Sequence, residues 1–314
     1  MANLYIVTIK FIPIIALILL GVFIRKIKLL RPETIQDLKA IIINISLPSM
    51  LILTFSKTVL ELRYVYIILA VFLTCVIMLI MGSGFSKKLC PGNRYYPVVF
   101  GSYETGMLGF ALFTAFFGAE NTYKLAIVDI GQEFFAFFVM LNFLNRQNGG
   151  SASVKQMLSG FIKSPLVIAI LTGIVLGNTG LTTYLANFQI TDSFVSVLTL
   201  LGNLTVPLIC IIIGYEFSLD IKGIGRPFIT ALLRMALMFG FALLINEFLL
   251  VRLLKLDSGF GTALFTMFLL PPSFVIPIFI DQKAIKEKRD VLNVISVHIV
   301  LTLIAFLILV TVRG

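Results

Sequence analysis

The chain is dominated by apolar runs, each close to 20 residues long, that alternate with short polar links. A helix of that length extends about 30 Å at a rise of about 1.5 Å per residue, which matches the hydrocarbon core of a bilayer. A soluble core is excluded because 59% of the residues are hydrophobic and 13% are charged, whereas soluble domains carry about 25% charged residues. The sequence therefore predicts an all-α polytopic membrane protein.

Ten transmembrane helices are predicted from these runs. They are 4–24, 38–56, 62–83, 95–118, 122–143, 164–182, 193–216, 227–250, 259–280 and 291–311. The links on one side carry 17 Lys and Arg residues, and those on the other side carry 6. Since cytoplasmic links hold the excess of basic residues, we expect a multi-pass protein of the cell membrane with extracellular N- and C-termini. The net charge of +10 is then a topology signal at the lipid bilayer and predicts no nucleic-acid partner.

A short motif occurs twice and indicates an internal repeat. Asn44 and Pro48 lie in NISLPSM, and Asn203 and Pro207 lie in NLTVPLI, each in the second span of its half. The polar link 145–156 divides the chain into five spans and five spans. An odd number of spans per half inverts the second half, so the pattern predicts two inverted five-helix repeats. Each motif is interpreted either as a kink with Asn capping a freed backbone group or as part of a binding site.

The fourth and ninth spans are the strongest candidates for a binding site. The fourth has GSYETGMLG at its centre, and the ninth contains a Pro-Pro pair, so both helices are expected to break. Interrupted helices at corresponding positions of two repeats are typical of transporter binding sites. With the two motif asparagines, the candidate substrate-binding residues are Asn44, Ser102, Glu104, Thr105, Gly106, Gly109, Asn203, Pro271, Pro272 and Ser273.

Ionisable residues within the spans give candidates for ion or proton coupling. Glu104 would cost about 2.5–3.5 kcal/mol at the bilayer centre, so it is either a coupling group or a neutral carboxyl bonded to a neighbouring helix. Asp129 and Glu133 share a helix face with Gln132, and this stripe is interpreted either as a helix contact or as part of transport. His298 is the fourth coupling candidate, with a structural role as its alternative. Arg234 is expected to snorkel or to pair with a carboxylate.

The sequence gives no sign of catalysis. It has no P-loop, no HExxH and no plausible catalytic triad, so we expect a protein that is not an enzyme. Its three cysteines predict neither a disulfide framework nor a metal site, and one histidine excludes a His-rich metal site. No cofactor is expected besides a coupling proton or sodium ion.

Several segments together resemble the auxin efflux carrier family of membrane transport proteins, which includes the plant PIN auxin carriers. They are NISLPSMLILTF, GMLGFALFTAFFG, LGNLTVPLICIIIGYEFS and the Pro-containing ninth span. The resemblance covers essentially the whole chain. It implies the fold of the bile-acid sodium symporters, in which broken helices four and nine cross at the substrate.

The resemblance also implies a division into domains. A scaffold domain would comprise 1–57 and 164–226, and a transport domain would comprise 58–144 and 227–314, with 145–163 as a cytoplasmic linker whose polar part, 145–156, is expected to be flexible. The implied function is secondary active transport of a small organic anion, a carboxylate or an auxin-like molecule, with helix breaks at Gly106 and Pro271. A homodimer through the scaffold is also expected. The chain departs from the family pattern, which often has Asn in place of Glu104 and Pro in place of Ala111.

Two alternatives belong to other functional classes. One is a membrane receptor or sensor that keeps the fold without transport. The other is an intramembrane enzyme acting on lipid, which would need an acid, a base or metal ligands gathered at one membrane face. The cytoplasmic links are short and basic and do not supply such a group.

Overall fold

The computed structural model describes residues 2–58, 61–150, 153–178, 189–217, 224–281 and 283–313. Every regular element in these ranges is a helix. The observation confirms the all-α prediction for the part of the chain that is described.

The described residues of the first half of the chain form eight helices, several of which join through π-helical turns. A π-turn, Ile42–Ser46, connects α2 to α3, a second, Thr105–Gly109, leads into α6, and a third, Ala136–Met140, connects α7 to α8. The helices are α1 Ala2–Lys26, α2 Pro32–Ile41, α3 Leu47–Phe55, α4 Tyr64–Leu89, α5 Val98–Gly101, α6 Phe110–Phe117, α7 Thr122–Phe135 and α8 Leu141–Gln147.

The described residues of the second half also form both long and short helices. A π-helical stretch, Ile245–Leu253, extends α13. The helices are α9 Val154–Ile162, α10 Pro165–Asn178, α11 Gln189–Asn203, α12 Thr205–Glu216, α13 Gly225–Leu244, α14 Ser258–Leu269, α15 Ile276–Phe279 and α16 Ile285–Arg313.

Seven helical segments among the described residues are long and apolar enough to cross a membrane, or eight if the bent pair α9–α10 counts as one span. The ten predicted spans are therefore supported only in part. The predicted ninth span is not one of these long helices because it is divided in two. Its first part, α14, has 12 residues, and an extended segment separates α14 from α15. Ten spans and the inverted repeat remain predictions.

Glycines allow two pairs of helices to approach closely. A Cβ atom on Gly214 of α12 would overlap the Ile18 carbonyl oxygen of α1, and one on Gly21 would overlap the Ile211 carbonyl. In the same way, α10 lies against α3, where a Cβ atom on Gly173 would stand 2.6 Å from Phe55 Cβ. Small residues at membrane helix interfaces permit this backbone contact.

The first Asn-Pro motif does not break its helix. The π-turn Ile42–Ser46 precedes Pro48, which lies in the first turn of α3. Asn44 donates from Nδ2 to the Ala40 carbonyl at 2.8 Å. The contact agrees with the interpretation of Asn44 as a cap for the helix backbone.

The second motif has a different local structure. The regular α-helical hydrogen bonding is interrupted for one residue at Leu204, which keeps a right-handed helical backbone and donates to the Leu201 carbonyl, and α12 then begins at Thr205. Pro207 is the third residue of α12, where the missing N–H removes no helix hydrogen bond. The two motifs meet between the helices, because the Ser46 and Thr205 hydroxyl oxygens are 2.6 Å apart.

The polar link 145–156, which was predicted to be flexible, ends in a helix, and the division into domains with a cytoplasmic linker at 145–163 remains a prediction. Residues Val154–Ile162 form α9, which begins with a capping box between Ser153 and Gln156. Phe161 of this helix stacks on Phe134, with ring centroids 4.6 Å apart. The Gly-Gly pair and the serines of this segment are typical of a loop, so the sequence did not predict the helix. Its stability depends on the capping box and on the aromatic contact.

Candidate functional site

The fourth span is interrupted by a non-helical segment at Ser102–Glu104. Helix α5 ends at Gly101, and the π-turn that leads into α6 begins at Thr105. The expected break at Gly106 is therefore displaced toward the N-terminus, and Gly106 lies inside the π-turn. Glu104 sets this position because its side chain accepts from the Met107 N–H and caps the second helix.

The ninth span is interrupted where the sequence predicts it. Helix α14 ends at Leu269, Leu270 is extended with ψ 152°, and 271–273 have no helical structure. Pro271 and Pro272 supply no N–H donor, and each disfavours helical backbone in the residue before it. The prolines thus account for the break.

The two interruptions lie directly against each other. The Glu104 N–H donates to the Pro271 carbonyl at 2.9 Å, and the Ser273 N–H donates to Ser102 Oγ at 3.3 Å. Gly109 permits the approach, since a Cβ atom there would stand 2.6 Å from Leu270 Cδ1. The expected contact between 104–109 and 270–274 is confirmed.

Glu104 joins the two interrupted helices through both of its carboxyl oxygens. Oε1 accepts from the Met107 N–H at 3.2 Å, and Oε2 accepts from the Phe274 N–H at 2.6 Å. The residue is 6% exposed. An ionised carboxyl accepts from both amides with its full charge, whereas a protonated carboxyl gains a donor of its own and becomes a weaker acceptor at the oxygen that carries the proton. The charge state of Glu104 therefore controls a link between the two breaks.

Beside this link, buried oxygen atoms lack hydrogen-bond partners. Within the described residues these are Thr105 Oγ1, both carboxyl oxygens of Asp129 and Gln132 Oε1. The Thr105 hydroxyl is close enough to interact with the Asp129 carboxyl, which also interacts electrostatically with Glu133 and Glu104. Buried oxygens without amide or cationic donors are costly. With the half-buried Glu133 carboxyl beside them, these residues are here called the acid cluster (Thr105, Asp129, Gln132 and Glu133), which is suited to a proton or a hard cation.

The described residues do not form a conventional metal centre. No group of three or more His, Cys, Asp or Glu side chains in the described ranges is arranged to hold a metal ion. The acid cluster takes oxygens from an alcohol and an amide as well as carboxyls, which is the ligand chemistry of hard cations.

Arg234 and His298 are also buried at the crossing. Neither side chain is exposed, and Arg234 Nη1 lies 2.8 Å from His298 Nε2. The expectation that Arg234 snorkels or pairs with a carboxylate is wrong, because its guanidinium donates to the carbonyls of Phe100, Ser102 and Leu270. Its charge suggested a counter-ion, but sequence gave no sign that backbone carbonyls would be the acceptors.

A cleft of about 370 Å³ leads toward the crossing from one end of the molecule. Its lining includes Lys39, Glu216, Phe274 and Lys288. Lys39 and Glu216 form an ion pair at 2.6 Å, and both act electrostatically on Glu104. In the sequence, Lys39 is one of the basic residues that mark a cytoplasmic link, and no role in a cleft was predicted for it. A lysine near the start of an apolar run was the available hint that it lines a cleft.

A second cleft, of about 730 Å³, opens at the other end between α3, α11 and the segment around Thr114. Asn203 lines this cleft, whereas Asn44 is exposed and bonded to its own helix. The structure thus gathers eight of the ten predicted substrate residues at the crossing and leaves both asparagines outside it. Their sequence motif indicated a helix irregularity, which two different local structures satisfy.

These features define a polytopic helical membrane protein with a polar crossing of two interrupted helices. No family model matches the chain. It is similar to "Uncharacterized transporter MJ1031" of Methanocaldococcus jannaschii, with 26% identity over 215 residues, which are 65% of this chain and 67% of that protein. The similarity supports a membrane transporter, and a transporter homologue fits a protein that is not an enzyme.

Proposed function

We propose that the protein is a secondary active transporter of a small organic anion, a carboxylate or an auxin-like molecule. The observation that carries the proposal is the crossing, where Glu104 joins two interrupted helices beside unpaired buried oxygens. Transporters place such helix breaks at their substrate and ion sites. The resemblance to the auxin efflux carrier family supplies the substrate class, and Lys39 and Lys288 supply positive charge in the cleft nearby.

Alternating access is supported by the two clefts. One opens toward each end, and both are lined by elements assigned to the scaffold as well as by elements assigned to the transport domain. Movement of the transport domain (58–144 and 227–314) against the scaffold (1–57 and 164–226) would close one cleft as it opened the other. A homodimer through the scaffold remains a prediction.

An inverted repeat is supported by the pairing of the helices. The first span packs on the seventh through Gly21 and Gly214, and the sixth packs on the second through Gly173. Each first helix of one half thus contacts the second helix of the other half. Ser46 and Thr205, which touch, are 159 residues apart, the same separation as Asn44 and Asn203. A pseudo-twofold axis between the two hydroxyls would explain all three observations.

Coupling is assigned to the carboxyls. A proton on Glu104 would weaken at least one of its two hydrogen bonds to backbone amides and so loosen the link between the interrupted helices. Asp129 and Glu133 would hold a second proton or a sodium ion among the oxygens of the acid cluster. His298 is a weaker candidate, because a proton on Nε2 would face the Arg234 guanidinium.

Uptake into proteoliposomes tests the function. Purified protein is expected to accumulate radiolabelled benzoate or indole-3-acetate when the outside is more acidic, and Asp129→Asn is expected to reduce the dependence on the pH gradient at least tenfold. Asp192→Asn is the matched control, because Asp192 is exposed and lines neither cleft. Saturable binding of a carboxylate without transport under any ion gradient would favour the receptor alternative. Absence of both binding and transport across a carboxylate panel would contradict the substrate class.

The proposed orientation places both termini outside the cell membrane. It depends on the 17 basic residues in links on one side against 6 on the other. Single cysteines at Ala2 and Arg313, in a background without Cys75, Cys90 and Cys210, are expected to react with an impermeant maleimide on intact cells. Reaction only after permeabilisation of the cells would show that the termini are cytoplasmic and that the proposed orientation is wrong.

A further inference from the structure

Arg234 binds the carbonyl ends of both interrupted helices. It comes from α13 and donates from Nε to the Phe100 carbonyl at 3.3 Å and from Nη1 to the Leu270 carbonyl at 2.7 Å. Nη2 donates to the Ser102 carbonyl. These carbonyls lie where α5, a single helical turn, and α14, a helix of 12 residues, end, so the Leu270 carbonyl stands at the negative pole of α14.

The fourth contact of Arg234 fixes the form of His298. A guanidinium only donates, so His298 Nε2 accepts, and the ring proton must be on Nδ1. Nδ1 then donates to Thr302 Oγ1 at 3.1 Å, and that hydroxyl donates to the Leu269 carbonyl at 2.6 Å. This series of hydrogen bonds, which begins at Arg234, thus ends at the break of the ninth span, at the residue before Leu270. His298 is neutral in this arrangement and completes the ligand set of a cation.

The charge of Arg234 is balanced without a carboxylate. The ion pairs formed by the described residues do not include Arg234. Its guanidinium carbon lies 5.0 Å from the centroid of the Tyr103 ring, which itself stacks on Phe268. Three carbonyl dipoles, an imidazole lone pair and an aromatic face are a set of ligands for a positive charge.

In transporters with interrupted helices, unwound carbonyls and half-helix C-termini coordinate the coupling cation. We propose that Arg234 is a tethered cation that permanently occupies this position. Glu104 is its counterpart at the amide ends of the second half-helices. For the proposed transport function, on which this consequence rests, the carbonyl ends need no exchangeable ion. The acid cluster is then the place for the ion that is exchanged.

Removal of the tethered charge should create a site for a free cation. Arg234→Ala is expected to lower the thermal midpoint of the purified protein by about 6–20 °C, because it leaves three buried carbonyls and a buried imidazole without their charged donor. Guanidinium chloride at about 20 mM should restore at least half of this loss, by binding the native state. Choline chloride should restore none, and wild type should respond equally to both salts.

Two further variants keep the test decisive. Arg234→Lys retains a charge on a flexible stem and is expected to lose less than half as much as Arg234→Met, which retains length alone. Arg252→Ala, at an exposed ion pair with Glu247, is the control and should shift the midpoint by less than about 2 °C. If the Ala and Met variants do not fold, the Lys variant must still do so.

Equal stability of the Lys and Met variants would overturn the proposal, as would equal rescue of Arg234→Ala by choline and guanidinium. A Lys variant that fails to fold would overturn it as well. The readout is stability alone, so these results do not depend on whether the protein transports an organic anion.

Discussion

Glu104→Gln is expected to lower the stability of the protein and to abolish the pH dependence of its transport. The carboxylate accepts from both the Met107 and the Phe274 amides, whereas a glutamine has one oxygen and must turn its NH₂ group toward one of these donors. A buried amide left without an acceptor costs about 1–3 kcal/mol. The variant also binds no proton, so the charge-controlled link between the helices is lost.

Thermal unfolding and proteoliposome uptake between pH 5 and 8 measure the two effects. We expect a fall in the thermal midpoint of about 2–12 °C, at about 2–4 °C per kcal/mol, and a flat pH profile. Glu33→Gln is the control, since Glu33 is exposed and lines neither cleft. Wild-type stability together with a wild-type pH profile would show that the carboxylate bridge has no role in coupling.

Gly214→Ala is expected to destabilise the contact between α1 and α12 although alanine favours helices. In an open helix position, Gly→Ala stabilises by about 1 kcal/mol. Here the new Cβ atom would overlap the Ile18 carbonyl oxygen, and backbone cannot yield as a side chain can. The two helices must therefore separate. Overpacking of a core costs about 1–3 kcal/mol, and we expect a loss of at least this size. We expect a fall of several degrees in the thermal midpoint and a low yield.

Gly240→Ala is the matched control for this substitution. Gly240 also lies inside a helix, α13, but a Cβ atom there meets nothing within 4 Å. It is expected to raise the midpoint slightly. Opposite shifts for the two substitutions would attribute the loss to the helix contact. Equal shifts of the same sign would exclude a special role for Gly214.

Features that act through one residue's own chemistry could be predicted from the sequence. The Pro271-Pro272 pair cannot continue a helix, and its break is found where it was expected. Glu104, as an acid in an apolar run, indicated the crossing. The position of the fourth-span break was missed because the Glu104 cap, and not Gly106, determines it.

Features that depend on residues distant in the chain could not be predicted. Lys39 and Glu216 are 177 residues apart and form an ion pair, and the acceptors of Arg234 are carbonyls, which every residue carries. Asn44 and Asn203 shared a motif and yet support different local structures, a π-turn and a one-residue break. Sequence pattern indicates that a helix is irregular, but packing decides where its polar groups point.

The two clefts at opposite ends have an electrical consequence. Water in both would carry the potential of each bulk solution inward, so the membrane voltage would fall mainly across the short barrier at the crossing. A charge moved through the whole potential gains about 2.3 kcal/mol per 100 mV. With the field focused in this way, Glu104 and the acid cluster would experience much of that energy over a displacement far smaller than the bilayer thickness. A modest shift of the interrupted helices could therefore make the cycle sensitive to voltage.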